Sequence, residues 1–218
     1  MKGLMIILAT ILSIVMSSSL VMAADAPKVL LILRDGMPTY IDTMLTKEIY
    51  VMKSMLENAS FKVVAATTDK LPIKGSTVTF TPDLKLSDVK VDDYAGVVFA
   101  CFGGGGTIPM SVPPIAVSIA KQAITQGKPV AASHGSVVIL AEAGVLVGKR
   151  YAFVVDPFGI GRRPDDRFTG AIYGGTGVLQ DRNIITCGVC PGLSQHQGLP
   201  DGTVELTQAF ITMLTTKK

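Results

Sequence analysis

The sequence predicts one α/β domain with a mainly parallel sheet, and three observations carry that reading. Short, continuous apolar runs bounded by turn residues recur between residues 28 and 132, as in strands buried on both faces. Between them, apolar residues fall at spacings of three and four, the period of an amphipathic helix. Of 218 residues, 48% are hydrophobic and 17% charged, with three cysteines and no tryptophan. That composition excludes a disordered chain, a collagen-like one and a disulfide-dense miniprotein.

The elements follow in order. KVLLIL (28–33) is the first strand, ended by Arg34, Asp35 and Gly36. Ile41, Met44, Leu45, Ile49, Met52, Met55 and Leu56 mark a helix, and FKVVAA (61–66) is the second strand. Strand, helix and strand make a βαβ unit. Residues 69–93 turn polar, with a short strand expected within 76–80. GVVFAC (96–101) is a third strand that runs into the glycines 103–106. Pro113 and Pro114 open a helix that Gly127 stops. KPVAA (128–132) is a fourth strand, followed by Ser133, His134, Gly135 and a helix through Val137, Ile139 and Leu140. A strand at 151–155, a hairpin of 177–180 with 183–187, and a last helix over 203–214 complete the chain.

Lys2, an apolar run from Leu4 to Met16 and the small residues leading to Ala23 have the layout of a secretory signal peptide. Cleavage after Ala23 would leave residues 24–218 as a single domain, exported to the periplasm or beyond, with no stable membrane anchor. The alternative is a retained span, since about 20 apolar residues can cross a bilayer. A formal charge of +3, with basic residues dispersed, gives no support for nucleic acid as a partner. Nucleotide-binding loops are also absent, and no cofactor or metal is expected.

In an oxidising compartment Cys101, Cys187 and Cys190 could pair or stay reactive. Cys187 and Cys190 have CxxC spacing, to which His196 could add a ligand; the plainer reading is two buried cysteines at a strand end. Cys101 and Cys190 should both lie on the sheet edge that carries Ser133, where a thiol could act.

The strand, tight turn and helix around Ser133 place it where open α/β sheets bind ligands. There Ser133 could act as a nucleophile, with the His134 amide and the backbone of Gly103 and Gly104 stabilising an oxyanion. Alternatively Ser133 only caps its helix. His134, oriented by Asp35, Asp42, Asp156 or a carboxylate of a partner chain, could serve as base, and His196 is the other candidate. Arg162, Arg163 and Arg167 could bind an anion, or pair internally with Asp165 and Asp166.

Five segments, DYAGVVF (93–99), the glycine run, VSIAKQ (117–122), GKPVAASHG (127–135) and AGVLVG (143–148), resemble the PfpI/ThiJ family of the class I glutamine-amidotransferase-like superfamily. The resemblance implies a flavodoxin-like three-layer sandwich with helices on both faces, commonly a homodimer. It also implies peptidase, glyoxalase-like, deglycase, hydratase or chaperone-like activity on a small-molecule ligand or substrate. The family's nucleophile is a cysteine at the position aligned with Ser133, supported by a glutamate just after the first strand. DGMPTYID (35–42) holds only Asp35 and Asp42 there. The expectation is a hydrolase or lyase acting on a small carbonyl or acyl compound through Ser133 and His134. The alternative is a non-catalytic ligand-binding or stress-protective member.

Overall fold

The computed structural model describes residues 26–34, 40–101, 111–157, 159 and 164–216. Residues 1–23, read from the sequence as a signal peptide, together with Asp35, Gly103, Gly104 and the rest of the glycine run, Arg162 and Arg163, lie outside the described residues.

The described residues open with β1 (Lys28–Ile32) and a helical stretch in three parts: α1 (Ile41–Met44), a π-helical turn (Leu45–Ile49) and α2 (Tyr50–Asn58). It returns as β2 (Lys62–Thr67), then runs through the short strands β3 (Ile73–Lys74), β4 (Thr79–Phe80) and β5 (Leu84–Lys85). The strand β6 (Gly96–Phe99), helix α3 (Pro114–Thr125), strand β7 (Val130–Ser133) and helix α4 (Val137–Glu142) follow. The last part comprises β8 (Arg150–Tyr151), β9 (Ile172–Tyr173), the hairpin β10 (Val178–Asp181) and β11 (Ile184–Cys187), α5 (Pro191–Gln197) and α6 (Thr203–Thr216).

Seven strands form one sheet in the order β10-β11-β7-β6-β1-β2-β5. Every pairing in it is parallel except β10 with β11. Alternation along the strands divides the core. Leu30 and Ile32 of β1 and Val97 and Phe99 of β6 pack with α3 and α4 through Ile119, Ala120 and Leu140. Val29, Leu31 and Val98 face the other way, onto Met52, Leu56, Leu206 and Phe210 of α2 and α6. Both faces are thus covered, which explains why the central strands are apolar throughout. The result is the flavodoxin-like α/β fold expected. No helix among the described residues is long and apolar enough to cross a membrane.

Three elements differ from the sequence reading. The strand expected at 151–155 is only Arg150–Tyr151, paired with β9 in a separate ribbon. Residues 69–93 contain a β3–β4 ribbon and the sheet-edge strand β5. His196 sits on helix α5, which the sequence reading did not include.

Parallel strands end on the same edge, and β1, β6, β7 and β11 are neighbours. Whatever follows these strands is therefore gathered in one place.

Candidate functional site

The elbow after β7 turns at His134. Ser133 is still extended (φ −100°), whereas His134 has φ 42°. A side chain other than glycine rarely adopts that region, and the conformation costs free energy that the surroundings must supply. The Ser136 hydroxyl fixes the turn, lying 2.8 Å from the carbonyl oxygens of both Phe99 and Ser133. The strained position is thus one residue later than the elbow read from the sequence.

That shift turns Ser133 inward. It is 1% exposed, and its hydroxyl faces the buried Glu48 carboxyl without a hydrogen bond of standard geometry among the described residues. It neither caps the helix nor bonds a histidine, so the Ser–His pair considered from the sequence is not assembled. His196 is exposed on α5.

His134 instead meets sulfur. Its Nδ1 lies 3.3 Å from Cys101 Sγ and 3.3 Å from Cys190 Sγ, and the three atoms all lie within 4.8 Å of one another. Cys101 follows the end of β6, and Cys190 stands between β11 and α5. Both cysteines are buried and pack with Met44, while His134 is half-buried. Its ring stacks on Phe153 with centroids 6.3 Å apart. The structure therefore brings Cys101, His134 and Cys190 together and splits the CxxC pair. Cys187 donates its thiol hydrogen to Val189 O at 3.2 Å and belongs to the core on the α6 face. Burial pushes the Cys187 thiol up to about 12, an inert state.

Glu48, which the sequence reading did not select, completes the cluster. It is fully buried at 0% exposure on the π-helical turn. Its Oε1 accepts the Cys101 backbone N–H at 3.1 Å, and its Oε2 has no partner among the described residues. Such turns insert an extra residue and often mark functional positions. Burial pushes the Glu48 carboxyl well above the usual carboxylate range, and the Cys190 sulfur adds to this. The two central thiols are driven apart in the same way. Burial holds Cys101 up, whereas the hydrogen bond from Cys101, with the His134 ring adding to it, holds Cys190 far below an ordinary thiol. The arrangement brings two sulfurs and an imidazole ring to one point. A crevice lined by Leu33, Met44, Leu45, Glu48, Ala100 and Cys101 lies beside it.

Two other sequence candidates are engaged elsewhere. Asp42 accepts the backbone N–H groups of Ser76 and Thr77 at 2.9 and 3.0 Å. Arg167 forms a fork on Asp165, with its Nε at 2.7 Å from Oδ1 and its Nη2 at 2.6 Å from Oδ2.

Comparison with known proteins gives consistent matches. The DJ-1/PfpI family matches residues 27–194. An uncharacterised protein of Archaeoglobus fulgidus is 38% identical over 105 residues, which cover 48% of this chain and 58% of that one. One from Methanocaldococcus jannaschii is 28% identical over 143 residues, 64% of this chain and 67% of the other. The chain thus spans under two thirds of the length of the Archaeoglobus relative. Among solved structures, a ThiJ/PfpI domain protein from Brachyspira murdochii aligns with a TM-score of 0.66 at 20% identity, covering 89% of this chain and all (100%) of that one. Drosophila melanogaster DJ-1beta aligns with a TM-score of 0.56 at 23% identity, covering 87% and 98%. These structural likenesses establish the fold.

Proposed function

Since the chain belongs to the DJ-1/PfpI family, we propose that it is a thiol-centred enzyme acting on a small electrophile, a carbonyl or acyl compound, at Cys190. The observation that supports this is the convergence of two sulfurs on the one Nδ1 of a strained histidine, at the carboxyl edge of a parallel sheet. Cys190 Sγ adds to the carbonyl carbon, forming a C–S bond while the carbonyl π pair moves to oxygen. That oxygen takes the proton carried by the His134 ring. Cys101 holds the sulfur in place, and Glu48 fixes Cys101 through its backbone N–H. The burial of both sulfurs limits the substrate to a small molecule. Ser133, turned inward beside Glu48 and bonded to no histidine, is not the nucleophile in this reading.

Limited alkylation of the native, reduced protein with iodoacetamide tests it. One adduct on Cys190 is expected, lost in Cys190→Ser and kept in Ser133→Ala. Labelling of Ser133 by a fluorophosphonate, with Cys190 inert, would return the role to the serine.

The proposal extends to the chain's setting: residues 1–23 direct export, and the exported chain pairs as a homodimer. The mass of the exported species and its sedimentation check both. Export would place the Cys101–Cys190 pair in an oxidising compartment.

A further inference from the structure

We propose that Cys101 Sγ, His134 Nδ1 and Cys190 Sγ form a binding site for one thiophilic d10 cation, zinc(II) above all, with its fourth position beside the Glu48 carboxyl. The proposal uses the same three side chains as the thiol reading but does not depend on their being nucleophilic.

The donor set comes first. Two sulfurs and one imidazole nitrogen suit zinc, and three protein ligands with one open position are the pattern of reactive rather than purely structural zinc. The spacing comes next. Tetrahedral bonds of about 2.3 Å to sulfur and about 2.0 Å to nitrogen set those atoms about 3.5 Å apart. The sulfurs now lie 3.3 Å from Nδ1. An ion would need them to open by only a few tenths of an ångström, within the reach of small side-chain rotations. Nδ1 also faces both sulfurs at the same distance, so one ion can use all three donors without a ring flip.

A second, independent feature points to a ligand. Two buried oxygens beside the donors, Glu48 Oε2 and Ser133 Oγ, face each other but make no hydrogen bond of standard geometry among the described residues. Leaving such atoms unpaired in a core is costly. A cation, or a water on its fourth position, would give Glu48 Oε2 a partner. Charge balance favours the divalent ion, since two thiolates and one zinc(II) sum to zero around two buried sulfurs.

None of this was visible as spacing. The donors come from positions 101, 134 and 190, after three different strands, whereas the CxxC that suggested a metal motif contributes only Cys190. Metal and thiol chemistry would exclude each other, because a sulfur bound to zinc is no longer free to attack a carbonyl.

The test is titration of the reduced, metal-free protein with zinc against a chromophoric chelator, and with cobalt(II) followed by absorption. One zinc per chain is expected, with a thiolate-to-cobalt charge-transfer band. Cys101→Ser, His134→Ala and Cys190→Ser should each weaken binding by at least about 100-fold, and Glu48→Gln by about 10-fold. Cys187→Ala should bind like the parent. Because a variant can lose binding by misfolding, protection is read on the unaltered protein as well: zinc should shield both Cys101 and Cys190 from alkylation. Absence of stoichiometric zinc binding, unchanged affinity in Cys101→Ser and Cys190→Ser, or loss of binding in Cys187→Ala would each overturn the proposal. Zinc binding by a protein whose metal-free Cys190 resists iodoacetamide would support this site and defeat the thiol reading. Alkylation at Cys190 without any zinc binding would do the reverse.

Discussion

Glu48 Oε1 accepts the backbone N–H of Cys101 at 3.1 Å, tying the first helical stretch to the chain leaving β6. The bond is buried and joins residues 53 positions apart. It places a carboxyl group at the edge where β6, β7 and β11 end, and it holds one of the two sulfurs that meet His134. The backbone there is thus fixed by a side chain from another layer, not by the sheet ladder.

The buried Ser133 hydroxyl gives a prediction opposite in sign to that for a catalytic serine. Ser133→Ala removes a polar group that faces the Glu48 carboxyl without a hydrogen bond of standard geometry among the described residues. The variant should be as stable as the parent or more stable by up to about 1 kcal/mol. Urea unfolding measures this, and a loss beyond about 1 kcal/mol would mean the hydroxyl is bonded after all.

Lys128 closes the turn before β6 from the far end of the sheet. Its Nζ donates to the carbonyl oxygens of Val91, Asp92 and Tyr94 at 2.7, 3.2 and 2.6 Å. Lys128→Ala leaves those acceptors without the cation, and a loss of about 1–3 kcal/mol is expected. Chemical denaturation of the two proteins decides it, and Lys128→Arg should restore part of the loss.

Asp42 carries an acid-side effect. The backbone N–H of Thr77, then that of Ser76, hold its carboxyl below its ordinary value of 3.8. A depressed acid contributes stability above its unfolded value and loses it as the pH falls through the folded one. The parent should therefore lose stability below about pH 4 more steeply than Asp42→Asn. Melting temperatures from pH 5 down to pH 2 would show it, and parallel curves would count against it.

Cys187 should report global unfolding. It is 1% exposed, and its thiol is held at about 12. In native buffer it should resist thiol reagents, and its labelling rate should track denaturant concentration along the unfolding curve. Rapid labelling of Cys187 in the native state would contradict its place in the core.

The parallel sheet was legible because strands covered on both faces are written as unbroken apolar runs, which GVVF and KVLLI are. β3 and β5, two residues each in a polar stretch, leave no such mark. The site was legible in part. That Cys101 and Cys190 belong on the edge with Ser133 follows from strand direction alone. His134 as the apex does not, since β7 runs one residue past the last apolar position, to Ser133. Glu48 is legible in the sequence only as an anomaly, standing four residues after Met44 and four before Met52 on the apolar side of the helix, and its place beside the sulfurs emerges from the structure. The one signal available was a charged residue beside apolar neighbours on the inward side of that helix.

That turn also bears on how the site can change over generations. One residue corresponds to about 100° around an α-helix. Loss of one codon within 45–49 would let the segment relax to ordinary winding and carry the carboxyl away from the sulfurs, with α2 still free to find its own packing. Gain of one codon in a related chain lacking the turn could install it. The place of Glu48 thus hangs on the winding of one helical turn, whereas the cysteines and the histidine are placed by the ends of three strands.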